Sequence, residues 1–358
     1  MKNVGIIGAG AIACGYAAFL EQAGHSVRLW SPRGNCASRR IKAEGAVETP
    51  CELRFIDSVG TLVDGADVLV LALPAFGHRA VLDALAPHIR PGQPVIISSH
   101  TAFGALYLGD LLTGKGVVAP IIAWSTTALT AKMPAQDVVR VGNLRARVDM
   151  SVLPEGQADA GLALCTSLFG ERFLLRDDLL SIALSNLNPQ NHLGIALCNA
   201  TRMDKGEIWS QVGNMTPMVA RLLEALDSER LAIAAGLGLS VRTVHEHFHL
   251  SYHVPQEAAL ADMFAEMQRR GLGGNGPATP SSRYVTEDVP FGLVPIILLG
   301  RLSGRQARLH QAGLDLISAM YGRDFAVECD LIEALRLDEL SLDALRDAAR
   351  AGTTRAVR

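Results

Sequence analysis

Short apolar runs recur through the first half of the chain, at Val4–Ile7, Val27–Trp30, Val68–Leu73, Val95–Ser98 and Val117–Ala123, each followed by Gly, Pro, Ser or a polar turn. Runs this continuous predict strands buried on both faces, hence a parallel sheet with helices on either side. Between them, Ile12–Ala23 and His78–His88 space apolar residues three and four apart, as a helix with one face on a core does. Val138–Val148 and Arg172–Leu175 are expected to extend or close the sheet. From about Leu179 the pattern turns helical, through Leu193–Arg202, Pro217–Gly236, Val241–Phe248, Gln256–Arg270 and Val289–Leu299. A second, all-α domain is therefore predicted, with the boundary near 176–180. The Gly- and Pro-rich stretch Gly271–Pro280 predicts an irregular, mobile loop, and residues 338–358 a short amphipathic helix with a fraying tail.

Composition narrows the class. The 358 residues suit about two domains at roughly 100–200 residues each, and 49% hydrophobic against 19% charged residues supplies two cores. With 33 Lys+Arg against 36 Asp+Glu, the net charge of −3 gives no broad field for a nucleic-acid backbone or an anionic membrane. Neither partner is expected. Cysteines at 14, 36, 51, 165, 198 and 329, without a C-x-x-C pair, read as the reduced thiols of a cytoplasmic protein. The uncharged run Val4–Leu20 imitates a signal peptide or membrane anchor. However, Gly8, Gly10 and Gly15 would each cost about 1 kcal/mol inside a helix, and their spacing fits another element. The protein is read as soluble.

That element is the turn Gly8-Ala9-Gly10-Ala11-Ile12-Ala13, a G-x-G-x-x-A pattern that ends a strand and opens a helix. Gly8 permits the tight turn, Gly10 lets the backbone approach a pyrophosphate, and Ala13 lets helix and strand pack closely. The N–H groups at Ala11, Ile12 and Ala13 then face the phosphates with the positive end of the helix dipole. The fold class follows as α/β: an N-terminal Rossmann-type parallel-sheet domain, residues 1–178, and an all-α C-terminal domain, residues 179–358. After the second strand, Leu29–Gly34 holds no acid for a ribose hydroxyl, and none occurs before Glu44. Ser31 and Arg33 instead suit a 2′-phosphate, which favours NADP(H), with NAD(H) as the second option. The bland alternative is that Arg33, Arg39 and Arg40 form a solvated loop edge. Pro74 and the segment Ser98-Ser99-His100-Thr101 fall at carboxyl ends of strands, where nicotinamide or ribose is expected.

In the second half, Asn188-Pro189-Gln190-Asn191-His192 reads as a helix start with Asn188 as N-cap and Pro189 in the first turn. His192, one turn in, shares a face with Asn188. It is either a general base or a hydrogen-bonded core histidine. Within Ser282–Gly292, Asp288 either caps the helix before Pro290 or reaches His192 and stabilises its imidazolium. Arg283 offers a fork for a substrate carboxylate and Tyr284 a hydroxyl. The histidines of Thr243–His253 lack a supporting acid at ligand spacing, so no metal is expected; the segment is expected to border the amine pocket. Asp204, Lys205, Glu207 and Trp209 are either cleft rim or solvated surface.

Together the glycine turn, Asn188-x-x-x-His192 and Arg283-Tyr284-x-x-Glu287-Asp288-Val289-Pro290 resemble the opine dehydrogenases, the group of octopine and nopaline dehydrogenases, over roughly residues 1–330. The resemblance implies an NAD(P)-dependent oxidoreductase acting on CH–NH donors, which condenses an amino acid's amine with a 2-oxo acid such as pyruvate and reduces the imine. It implies His192 as catalytic acid/base, Asp288 as its partner, Asn188 as a substrate-positioning residue and Arg283 as carboxylate binder, and the Tyr284 hydroxyl is expected to bind substrate beside them. The absence of an acid around Arg33 departs from NAD-using members. A ketopantoate reductase-like or hydroxy acid dehydrogenase would use a lysine, and the second domain has only Lys205; a redox-sensing dinucleotide-binding regulator would not need the polar clusters. A homodimer is left open.

Overall fold

The computed structural model describes every residue except 35–36, 100–101 and 357–358, so Cys36, His100 and Thr101 lie outside the described residues. In chain order the strands are β1 (Asn3–Ile7), β2 (Ser26–Trp30), β3 (Arg40–Gly45), β4 (Thr49–Glu52), β5 (Val68–Leu71), β6 (Val95–Ser98), β7 (Ile121–Trp124), β8 (Leu129–Ala135), β9 (Val138–Leu144), β10 (Val148–Leu153) and β11 (Phe173–Leu175). The first helices are α1 (Ala11–Gln22), α2 (Val59–Asp64), α3 (His78–Leu85), α4 (Ala102–Thr113) and α5 (Ala158–Phe169).

The five apolar runs become five neighbouring strands. The main sheet runs β11-β10-β7-β6-β5-β1-β2, and β7 through β2 are parallel throughout. Every residue of β5, β6 and β7 is buried, as their lack of polar alternation demands. The last predicted run starts as a strand only at Ile121, because the Val117 amide donates to Leu112 O and closes α4. The sheet is mixed rather than wholly parallel: β10 lies antiparallel to β7, with β11 parallel to β10.

Val138–Val148 does not extend that sheet as a unit. Its first part is β9, in a separate four-stranded sheet of order β4-β3-β9-β8, and Val148 opens β10. This small sheet escaped the pattern because Arg40–Gly45 buries only alternate residues and reads as polar. It packs on α1, whose residues 13–18 and 20 are all buried. Burial on two sides explains the uncharged run at the N-terminus without a membrane, and among the described residues no helix is long and apolar enough to cross one. Tyr16, Trp124, Phe169 and Phe173 interlock edge-on or tilted in this core at centroid separations of 4.9–6.4 Å.

Contacts divide the chain into two compact units, Met1–Ile182 with Glu333–Arg358, and Ala183–Ile332. The final segment, assigned above to the helical domain, thus returns to the first unit. Its amphipathic helix buries Leu345, Ala348 and Ala349. Beyond it, the tail is anchored instead of frayed. Buried Asp110 of α4 accepts from Thr353 Oγ1 and Thr354 N, both at 2.6 Å, and from Thr354 Oγ1 at 2.5 Å.

The second unit is helical, as the change of periodicity requires: α6 (Leu179–Ser185), which holds the division, α7 (Asn188–Asp204), α8 (Pro217–Gly236), α9 (Val244–Tyr252), α10 (Leu260–Arg269), α11 (Arg283–Thr286), a π-helical turn (Val289–Leu293), α12 (Val294–Leu302) and α13 (Arg308–Tyr321). Leu223, Leu260, Phe264, Val285, Leu293 and Phe325 are completely buried in its core. The stretch Gly271–Pro280 is tied down. The Gln211 amide donates to Gly274 O, the Gly276 amide to Trp209 O, and Trp209 Nε1 to Pro277 O. Trp209 is accordingly a buried anchor, neither cleft rim nor solvated surface.

Candidate active site

The glycine turn has the shape its spacing demands. Gly8 sits at φ +137°, and a Cβ there would lie 2.3 Å from the Ala72 carbonyl oxygen, so only glycine fits. Gly10 is the exposed N-cap of α1, and a Cβ on it would meet nothing within 4 Å. Open space above a close-approach glycine, no side chain capping the helix and no acid in its first turn together fit a pyrophosphate. Ala11 and Ile12 are half-buried at the helix start, while Ala13 is fully buried. At the end of β2, Ser31 is half-buried and Arg33 exposed, with no ion pair to Arg33 among the described residues. Pro74 follows β5 and opens a 3₁₀ turn at Ala75–Gly77. Ser98 differs from expectation: its hydroxyl is buried and bonded to Tyr16 Oη at 2.7 Å, and that oxygen also accepts from the Ala128 amide. A core contact consumes it.

In the second unit the structure brings His192 and Asp288 together. Nδ1 of His192 lies 2.6 Å from Oδ2 of Asp288, with side-chain exposures of 16% and 6%. With the carboxylate ionised, Nδ1 must carry the hydrogen it donates, which leaves Nε2 to accept a proton. The Asp288 side chain makes no capping bond to the following π-helical turn; its reach to His192 supplants that role. Such turns recur at functional sites because the wider coil redirects a side chain.

Asn188 is the first residue of α7 rather than its cap. Leu187 takes the cap position, and the Asn188 amide donates to Asn186 Oδ1 at 3.1 Å. No hydrogen bond is made by its half-buried side chain among the described residues. Arg283 donates from Nε to buried Glu287, while its side chain stays 62% exposed. Burial lowers the Arg283 pKa, but Glu287, and behind it Asp288, more than compensate and raise it. The result is an anchored, accessible cation. Tyr284 departs from expectation. Its hydroxyl donates to Gln211 Oε1 at 2.7 Å, and its ring stacks on His192 with centroids 3.5 Å apart and planes 9° from parallel.

Sequence reasoning missed the support beneath this cluster. Gln190, in the first turn of α7, donates to Asp227 Oδ1 of α8 at 2.8 Å. Fully buried Arg230 pairs with the same carboxylate at 2.6 Å and donates to the carbonyls of Leu184 and Arg242, while the Val244 amide donates to Asp227 Oδ2. One buried ion pair thus ties α6, α7, α8 and α9 together, and removing either partner costs about 3–5 kcal/mol. Asp227 and Arg230 stand three apart on α8, a spacing that suits a solvated surface pair equally well, so the sequence carries no signal of the buried network. Further along, α7 kinks at Asn199, whose side chain donates to the Ile195 carbonyl one turn back.

The histidines of 243–253 are dispersed. A Thr243/Glu246 capping box opens α9, His245 pairs with Glu224 at 3.3 Å, and His249 contacts the Val254 carbonyl at 2.7 Å. His253 lies beyond the helix as its left-handed C-cap. Among the described residues no group of three or more His, Cys, Asp or Glu side chains is arranged for a metal ion. Glu207 pairs with Arg202 at 2.9 Å, both partly exposed.

Comparison with known proteins agrees with this anatomy. Residues 175–321 match the family model described as NAD/NADP octopine/nopaline dehydrogenase, alpha-helical domain, and residues 4–127 match ketopantoate reductase PanE/ApbA. An opine dehydrogenase from Arthrobacter sp. (strain 1C) is 29% identical over 97% of this chain and 98% of its own. Octopine dehydrogenase solved with NADH and L-arginine superposes with a TM-score of 0.79 at 18% identity, covering 97% of this chain and 98% of that one. Yersinopine dehydrogenase bound to NADP+ does so with a TM-score of 0.69 at 16% identity, covering 99% of each. The chain resembles the opine dehydrogenases along its length, and the comparisons support an opine dehydrogenase-like oxidoreductase that uses a dinucleotide.

Proposed function

We propose that this protein is an NADPH-dependent dehydrogenase that joins the amine of an amino acid to a 2-oxo acid such as pyruvate and reduces the imine to a secondary amine. The observation that carries the reading is the His192–Asp288 pair, 2.6 Å apart, inside the unit that matches the octopine/nopaline dehydrogenase helical domain. NADPH, when bound, supplies the hydride. The backbone of Gly8, Gly10, Ala11, Ile12 and Ala13 would hold its pyrophosphate, Ser31 and Arg33 would take the 2′-phosphate, and Pro74 would border the nicotinamide or ribose. NADH is the second cofactor option.

Arg283, braced by Glu287, binds the 2-oxo acid carboxylate, and Asn188 orients the reacting groups with its uncommitted amide. His192 takes the proton released when the neutral amine attacks the carbonyl, a proton from solvent turns the resulting oxyanion into a hydroxyl, and His192 then gives its own proton to that hydroxyl, so that water leaves and the protonated imine forms. Asp288 balances the imidazolium between those steps, a role worth about 10²–10⁴ in rate. Hydride addition to the imine carbon completes a balance of one amino acid, one 2-oxo acid, NADPH and a proton to product, NADP+ and water.

The match of residues 4–127 to ketopantoate reductase favours a second reading, reduction of a 2-oxo acid without an amine. Mixing the protein with NADPH, pyruvate and pooled amino acids, with omission controls, separates the two. Cofactor oxidation that needs both co-substrates, with a product of the condensed mass, supports the proposal. Oxidation by the oxo acid alone selects the second reading, and no oxidation selects a dinucleotide-binding regulator.

A further inference from the structure

We propose that Tyr284, held by Gln211, is a positioning residue that fixes the plane of the His192 imidazole and steadies the positive charge the ring carries after taking a proton. The inference rests on the reading of His192 as acid/base. Three observations carry it. The two rings lie face to face, 3.5 Å between centroids and 9° between planes, whereas neutral aromatic pairs prefer offset or edge-on contacts at about 4.5–7 Å. A cation over a phenol face is attracted to it, so the geometry matches the imidazolium. Second, Asp288 holds one edge of the imidazole through Nδ1, so that one carboxylate and one ring face define its orientation while Nε2 stays available. Third, the phenol does not turn toward substrate, because its hydroxyl donates to Gln211 Oε1 at 2.7 Å. Burial, reinforced by the charge of Asp288, pushes that hydroxyl up to about 12, which keeps it a donor across any assay range. Donation enriches the ring that faces His192. Gln211 joins from a segment 73 residues away in sequence.

The test compares Tyr284→Leu, Tyr284→Phe and Gln211→Leu. Losing the stacked face is expected to lower kcat about 5–30-fold, the fold-change of a cation–π contact of about 1–2 kcal/mol, with KM for the 2-oxo acid within about threefold. Tyr284→Phe keeps the face and is expected to recover most of that loss, and Gln211→Leu to fall between the two. If Tyr284→Phe is as damaging as Tyr284→Leu and raises KM, the hydroxyl touches substrate and the proposal is overturned. A second readout needs no turnover. NMR signals of the His192 ring protons should be shifted upfield by the Tyr284 ring in the intact protein and in Tyr284→Phe, and not in Tyr284→Leu. Equal shifts in all three reject the stack itself, whereas full activity of His192→Ala rejects the acid/base reading while leaving the NMR result intact.

Discussion

His192 Nδ1 meets Asp288 Oδ2 at 2.6 Å across 96 residues of sequence, joining the first turns of α7 to the residue that precedes a π-helical turn. Both side chains are largely buried, so water competes weakly for the bond. If the pair moves protons, Asp288→Asn keeps the shape and loses the charge, and kcat should fall by at least about 10². His192→Ala should fall at least as far. Isothermal titration with NADPH should give nearly unchanged binding for both variants. Turnover within threefold of the parent in either would remove the assignment.

The two glycines of the nucleotide turn should separate folding from binding. At Gly10 an added methyl meets no protein atom, so Gly10→Ala should cost under about 1 kcal/mol of stability, as an N-cap exchange does. Its Cβ would instead occupy the space of the pyrophosphate, raising the dinucleotide Kd at least about tenfold, or 1.4 kcal/mol. Gly8→Ala places a methyl 2.3 Å from the Ala72 oxygen at a φ that L residues avoid, and should destabilise the fold by more than about 2 kcal/mol. Thermal melts and dinucleotide titrations on both variants check the contrast; equal effects on stability would show that the space above Gly10 is not a ligand's.

The proposed cofactor choice rests on Arg33, exposed beyond β2 in a stretch of sequence that holds no acid from Leu29 to Ala43. Arg33→Asp should lower the ratio of kcat/KM for NADPH over NADH by about tenfold or more. Because the side chain makes no ion pair among the described residues, stability should change by no more than about 0.5 kcal/mol. An unaltered ratio would mean that this arginine is only a solvated loop edge.

How much of this was legible in the sequence depends on how local the cause is. The glycine turn, the five central strands and the α7 start are encoded by neighbours in the chain, and they stand close to where the pattern put them, apart from a last strand that begins only at Ile121 and an α7 capped by Leu187 instead of Asn188. The Arg40–Gly45 strand was not legible because half its side chains face solvent, which hides the alternation among charges. Gln211 and Arg230 act through partners that only tertiary folding supplies: Tyr284, 73 residues on, and the Leu184 carbonyl, 46 residues back. Thr353 and Thr354 read as a loose tail because Asp110, which holds them, lies more than 240 residues earlier.

A last prediction concerns acid stability. Glu229 of α8 caps the start of α13, accepting from the Leu309 amide at 2.8 Å and from Nδ1 of fully buried His310 at 2.9 Å. Burial opposes its ionisation, but these bonds outweigh burial and hold the carboxyl below the usual glutamate range. A depressed carboxyl contributes stability that is complete above its unfolded pKa of about 4.3 and is lost as pH falls through the lower folded value. Glu229→Gln should therefore cost about 1–2 kcal/mol at pH 7, the worth of charge-assisted bonds at a partly exposed helix N-terminus. Melting curves from pH 7 down to pH 3 should show the parent's advantage constant to about pH 5 and shrinking below it. An advantage that is independent of pH would mean that the side chain's shape, not its charge, secures α13.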